Sequence, residues 1–214
     1  MRARLGAALA ALAVAGAGCG DEGSLVDGGY VEGDTLTVYV SAPFSGAGGA
    51  YGRDLRDGAK LALFDAGGRA GEYAVNFAAL GAADPDQALA NARRAIRDPA
   101  GIAYLGETDL PRLRRSLPIL NAAGLAQLVP FAPPRGDVRQ GSPSGVRTVG
   151  TITRSRLPRP AAAAFERSFG RAPGPGAAAG YRGMRRVLDV VARAGERGGQ
   201  RPLLVRELFD GAKA

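Results

Sequence analysis

The chain has 214 residues, a formal charge of +8, no histidine and one cysteine. Its length suits one ordinary domain, or a small fold built in two pieces. The missing histidines exclude Ser-His-Asp triads, histidine metal sites and the zinc-protease motif, and the lone Cys19 excludes an internal disulfide and a cysteine metal cluster. No metal or cofactor is expected.

The first nineteen residues, MRARLGAALAALAVAGAGC, carry two arginines, an apolar run from Leu5 to Ala17, then small residues and Cys19. The run is too short and too alanine-rich to span a bilayer comfortably. Its layout is that of a secretory signal peptide over residues 1–18. Its glycines argue against the alternative of a buried N-terminal helix. Cys19 resembles a bacterial lipoprotein acylation site, although Gly16 stands where a leucine is usual. Ordinary cleavage after Ala17 is the alternative. The expected product is exported, anchored to the cell membrane through Cys19 or free outside the cytoplasm. Residues 19–34 are polar and glycine-rich and read as a flexible tether.

From Thr35 the pattern alternates between strand and helix. Leu36 to Val40 is a β-rich run. Tyr51 to Ala66 is helical, with Leu55, Ala59, Ala62 and Leu63 on one face. Ala74 to Leu80 is a second strand. Asp84 and Pro85 open a helix as N-cap and first helical residue, and Asp98-Pro99 closes it. Gly101 to Leu105 is the third strand, Leu110 to Ala123 a helix closed by Gly124, and Leu125 to Val129 the fourth strand. Strands separated by helices of this length predict right-handed βαβ units and a parallel sheet. The alternation then breaks into a loop, a strand over Val146 to Ile152, and helices over Ala161 to Phe169, Tyr181 to Ala194 and Pro202 to Phe209. The turn-rich FGRAPGPGA joins the first two of these helices.

The glycine-rich stretch Ser41 to Gly52, SAPFSGAGGAYG, lies between the first strand and its helix, where a chain can hold an anion against a helix N-terminus. A dinucleotide site is disfavoured. Tyr51 occupies the third small position of the GxGxxG pattern, and the second strand ends without an acidic residue. A nucleic-acid partner is not expected either. The arginines occur in scattered pairs such as Arg93-Arg94, Arg114-Arg115 and Arg185-Arg186, with no interleaved aromatic platform. Nothing resembling a nucleophile elbow or a catalytic carboxylate pair stands out, so the chain is not read as an enzyme.

Several stretches together resemble the type I periplasmic solute-binding proteins of ABC transporters, in the branched-chain amino acid (Leu/Ile/Val) group. They are LTVYVSAPFSGAGGAYGRDLRDGAKLAL, GAADPDQALANARRAIRD, IAYLGETDLPRLRRSLPILNAAGL and FERSFGRAPGPGAAAGYRGMRRVLDVVARAG, in that order. The resemblance implies an α/β fold, a parallel-sheet Rossmann-like lobe of the type I periplasmic-binding-protein fold with the second lobe largely missing. The implied division is a signal peptide (1–18), a tether (19–34), an N-terminal αβ lobe (35–133), a linker replacing most of the second lobe (134–160), and a C-terminal helical segment packing back on the first lobe (161–214).

For ligand binding, the resemblance implies Tyr51 and Gly49 in the first loop, Leu110 after the third strand and Phe131 after the fourth. Glu107 is added because it follows the third strand, where parallel sheets usually bind ligands. Its neighbour Asp109 is expected to cap the following helix, with both acids in a solvated turn. The hydroxyls that the family uses to hold a ligand's carboxylate and ammonium fall here on Leu110, Val129 and Pro133, whose side chains cannot hydrogen-bond. The implied function is solute capture for an ABC permease, of an amino acid or related amide. The alternative is a degenerate single-lobe relative that binds a protein partner or nothing, its exposed cleft face favouring a homodimer.

Overall fold

A computed structural model describes residues 29–137, 149–152 and 156–209. The signal-peptide reading, Cys19 and most of the tether lie outside the described residues.

The first strand, β1 (Thr35–Ala42), feeds α1 (Gly49–Asp65). A two-residue strand β2 (Arg69–Ala70) turns back into β3 (Tyr73–Gly81). Then come α2 (Pro85–Arg97), β4 (Gly101–Leu105), α3 (Leu110–Ala122), β5 (Ala126–Val129) and β6 (Val149–Thr151). Three helices follow, α4 (Arg159–Phe169), α5 (Pro175–Ala194) and α6 (Arg201–Phe209), with a short 3-10 helix (Gly195–Gly199) between the last two. The strand order is β2-β3-β1-β4-β5-β6, and every pairing is parallel except β2 with β3. This is the α/β, Rossmann-like lobe of the type I periplasmic-binding-protein fold.

Side-chain alternation along β1 sorts the two faces of the sheet. Leu36, Val38 and Val40 join Leu55, Met184, Val187, Val191 and Leu204 in one core between the sheet and α1, α5 and α6. Tyr39 points the other way, against Ala92 and Ala95 of α2 and Leu120 of α3. The two cores make a three-layer sandwich.

The helix boundaries follow local chemistry. Asp84 caps α2 as expected, its carboxylate accepting from the backbone N–H groups of Asp86 (2.9 Å) and Gln87 (2.8 Å). Asp84→Ala is expected to cost about 1 kcal/mol, measurable as a lower urea midpoint at unchanged slope. Asp109 likewise caps α3, accepting from the N–H of Arg112 at 3.1 Å.

The largest departure from the expected elements is α5, which begins at Pro175 and not at Tyr181. Its first two turns, PGAAAG, carry no large apolar stripe. They are helical because α5 lies almost backbone to backbone on α1. A Cβ at Gly180 would stand 1.9 Å from the Leu55 carbonyl oxygen, and one at Gly58 of α1 would stand 2.0 Å from that of Ala177. The β2–β3 hairpin also escapes the sequence pattern, since two residues carry no period.

Candidate functional site

Strand β3 lies to one side of β1, while the chain continues through β4, β5 and β6 on the other. The order therefore reverses between β1 and β4. In open parallel sheets the crevice beyond the carboxyl ends of the strands at such a point is where ligands bind. A cleft of about 960 Å³ opens there.

The floor and near wall come from the loops after β1, β4 and β5 and the first turns of α1 and α3. Pro43, Ala47, Gly48 and Tyr51 line one side; Thr108, Asp109, Arg112 and Pro130 line the other. The N-terminus of α1 opens on this space, bringing the positive end of its backbone dipole with it. Gly52 permits this close seat: a Cβ there would fall 1.8 Å from the Pro43 carbonyl oxygen. Arg112 is held on three sides. Its guanidinium pairs with Asp109, donates from Nε to the Ala82 carbonyl at 2.8 Å and reaches the Ala83 carbonyl. It therefore braces the loop before α2 against α3.

The far wall comes from the same chain. Arg156 and Leu157, Ala162 of α4, the Pro173–Pro175 connector and Ala178 of α5 close the cleft. Arg171 ties this wall down. Its guanidinium bridges Asp54 and Asp57 of α1, reaching Asp57 Oδ2 at 2.7 Å, and lies 5.0 Å above the Phe165 ring. The two carboxylates are nearly buried, so the bridge works in a lower dielectric than an exposed pair does. Arg156 stays exposed at the mouth.

Among the residues expected to line the site, Tyr51 does so, half-buried in the first turn of α1. Gly49 is buried one residue behind the lining Gly48, against the Phe44 backbone. Leu110 and Phe131 turn away from the cleft and pack on Leu113, Leu117, Val129 and Val149. Their apolar side chains gain more from that burial than from a polar rim.

Glu107 does not sit in a solvated turn. It is fully buried beneath the cleft and does not line it. The Tyr104 hydroxyl donates to its Oε1 at 2.7 Å, while Oε2 has no partner among the described residues. Burial pushes its carboxyl up to about 7, against the hydrogen bonds from Tyr104 and Ser41; nearby Asp109 adds to the rise and Arg112 opposes it. Around it, Gln127 Nε2 donates to the Gly106 carbonyl at 2.7 Å and to Ser116 Oγ at 3.2 Å. Asn91 donates to Ser41 Oγ at 3.0 Å. This buried polar layer supports the turn that carries Thr108 and Asp109.

Sequence reasoning missed the far wall. Arg156 to Pro160 fell within the expected linker, and no periodic signal marks it. No group of three or more acidic, histidine or cysteine side chains suited to a metal ion occurs among the described residues.

A parallel α/β lobe with a cleft at its switch point defines the class of a ligand-binding fold, and comparison gives it a particular likeness. No family model matches the chain, and no curated protein matches it. Solved structures do. A putative branched-chain amino acid ABC transporter protein from Rhodospirillum rubrum aligns over 81% of this chain and 88% of its own, with a TM-score of 0.64 and 18% identity. The substrate-binding protein LivJ of Streptococcus pneumoniae, solved with isoleucine, aligns over 81% and 87%, with a TM-score of 0.64 and 10% identity. A solute-binding protein of an ABC transporter from R. palustris, solved with benzoate, aligns over 81% and 85%, with a TM-score of 0.64 and 11% identity. The chain has the fold of these solute-binding proteins.

Proposed function

We propose that the chain is the extracytoplasmic solute-binding component of an ABC-type importer, held at the membrane through Cys19 and delivering its solute to a permease. The solute is small, with an apolar body and a carboxylate, as in a branched-chain amino acid or an aromatic acid. The observation that carries this reading is the walled cleft at the switch point of a solute-binding-protein fold. Its lining is mostly apolar, from prolines, alanines and Leu157. A carboxylate would meet the α1 N-terminus and Arg156, since Arg112 is already engaged by Asp109 and two carbonyls. The wall from Arg156 to Ala178 argues against a lobe whose binding face is simply left open.

Thermal unfolding with leucine, isoleucine, valine and benzoate tests it. A bound solute at a hundred times its dissociation constant adds about 2.7 kcal/mol, a shift of roughly 5–10 °C at this size. Tyr51→Ala and Arg156→Gln are each expected to remove the shift, and the exposed Arg156 variant should keep its ligand-free midpoint within about 2 °C, as for most surface changes. A midpoint unmoved by every compound would contradict the reading.

A further inference from the structure

The buried carboxyl of Glu107 lies between two loops that line the cleft. Thr108 and Asp109 follow it directly, and both line the cleft. The Ser41 hydroxyl, which also donates to it, ends β1 two residues before the lining Pro43. The turn is pressed into this position. A Cβ at Gly106 would stand 2.1 Å from the Ser41 carbonyl oxygen. The Gly106 N–H donates to the Leu128 carbonyl at 2.8 Å, and Gln127 Nε2 holds the Gly106 carbonyl at 2.7 Å. A change at the carboxyl therefore reaches the cleft floor through one residue on one side and two on the other.

The hydrogen bonds around the carboxyl suit its neutral form. Tyr104 donates to Oε1, but Oε2 has no donor among the described residues. Gln127 Oε1, in the same buried layer, is a second acceptor without one. Two acceptors short of a donor mark a layer with room for one more proton, and a carboxylic acid carries it on its own oxygen. The charged groups that face Glu107 are Asp109 and Arg112 at the start of α3, which act on it in opposite directions. From β4, burial holds the Tyr104 hydroxyl well above its ordinary value, so it stays a donor. The neighbours from β1, α2, α3 and β5 are Ser41, Asn91, Ser116 and Gln127, none of which titrates near neutral pH. The chain has no histidine, the usual switch in this range. Burial, by lifting Glu107 to about 7, puts a carboxyl in its place.

We propose that Glu107 is a proton-operated positioning residue for the cleft: neutral, it holds the floor turn in the arrangement that binds solute; ionised, it moves toward water, displaces Thr108 and Asp109, and weakens binding of a carboxylate solute. The solute part rests on the proposed function. Both effects of ionisation run the same way. The turn shifts, and a second negative charge beside Asp109 opposes the solute's carboxylate. By linkage, a solute that binds the neutral form draws a proton onto Glu107. Where only that form binds, apparent affinity follows the neutral fraction, about nine-tenths at pH 6 and about one-tenth at pH 8.

Amide NMR of the full chain without solute reads the switch itself. The signals of Thr108 and Asp109 should titrate together with a midpoint of about 7, and in E107Q they should stay flat between about pH 6 and about pH 8. Tyr104→Phe removes a hydroxyl that favours the carboxylate, so it should move the midpoint upward; this second variant keeps the test decisive should E107Q fail to fold. Calorimetry with leucine and benzoate, whose carboxylates stay ionised throughout this range, reads the consequence. The wild type should bind about tenfold more weakly at about pH 8 than at about pH 6, taking up about one proton per solute at the higher pH, and E107Q should keep the tighter affinity at both. Floor amides that do not titrate in the wild type, or that titrate equally in E107Q, would overturn the proposal. So would a titrating floor with a solute affinity unchanged by pH. Titrating amides with no solute bound at any pH would contradict the proposed function and leave the proton switch standing.

Discussion

Gly180→Ala is expected to lower the unfolding midpoint by roughly 6–12 °C, about 3 kcal/mol at this chain length. The added methyl carbon would stand 1.9 Å from the Leu55 carbonyl oxygen, 2.7 Å from its carbon and 2.9 Å from the Ala59 nitrogen. All three atoms are helix backbone, so no side-chain rotation relieves the contact. The helices must separate, and their other close approaches, at Gly58 and Gly176, loosen together. Ordinarily glycine to alanine inside a helix would stabilise by roughly 0.5–1 kcal/mol. The sign therefore reverses only if α1 and α5 are as close as described. Gly136→Ala, which would meet nothing within 4 Å, is the matched control and should stay within about 0.5 kcal/mol of the wild type. Because α5 also carries Pro175 and Ala178 of the cleft wall, the Gly180 variant should bind solute more weakly at temperatures where it remains folded.

Glu107→Gln is expected to remove most of the protein's loss of stability between about pH 4.5 and 7. Burial raises the carboxyl from 4.5 to about 7 in the folded chain. Between those values the folded protein holds a proton that the unfolded chain releases, so stability falls as pH rises. The stability is fully present below pH 4.5 and lost as pH climbs through 7. A shift of this size corresponds to about 3 kcal/mol. The uncharged glutamine carries no such penalty. Above pH 7 the variant should therefore be more stable than the wild type, and below pH 4.5 the two should converge, since the glutamine amide oxygen still accepts from the Tyr104 hydroxyl. Urea midpoints measured across this range decide it. Parallel curves for the two proteins would mean that the carboxylate is hydrated, contrary to its burial.

The order of β1, α1, β3, α2, β4, α3 and β5 was legible because each carries a local signal. The strands are runs of apolar and β-branched residues, and Asp84-Pro85, Asp98-Pro99 and Asp109 punctuate the helices. The small-residue start of α5 was not legible. PGAAAG reads as a turn until α1 is laid against it, since the benefit of lacking side chains appears only at a close crossing. The site divided in the same way. Tyr51 is placed by its distance from β1 along one helix turn. Leu110 and Phe131 depend on which way a loop side chain turns, and both turn into the apolar cluster around Leu113. Glu107 looks like a surface acid in sequence, and only the packing of β1, β4 and β5 around the following turn buries it. The far wall depends on Arg171, distant in sequence from Asp54 and Asp57, and no local pattern reports such a bridge.

If one chain supplies both walls of a solute cleft at the β1/β4 switch point, hydrogen–deuterium exchange with and without the solute that raises the midpoint will show it. Slower exchange is expected in three separate segments: the loop and first turn from Pro43 to Gly52, the turn from Gly106 to Leu113, and the wall from Leu157 to Ala178. Slowing confined to the first two would contradict the second wall. Slowing centred on the C-terminal half of α5, away from Ala178, would contradict the cleft itself.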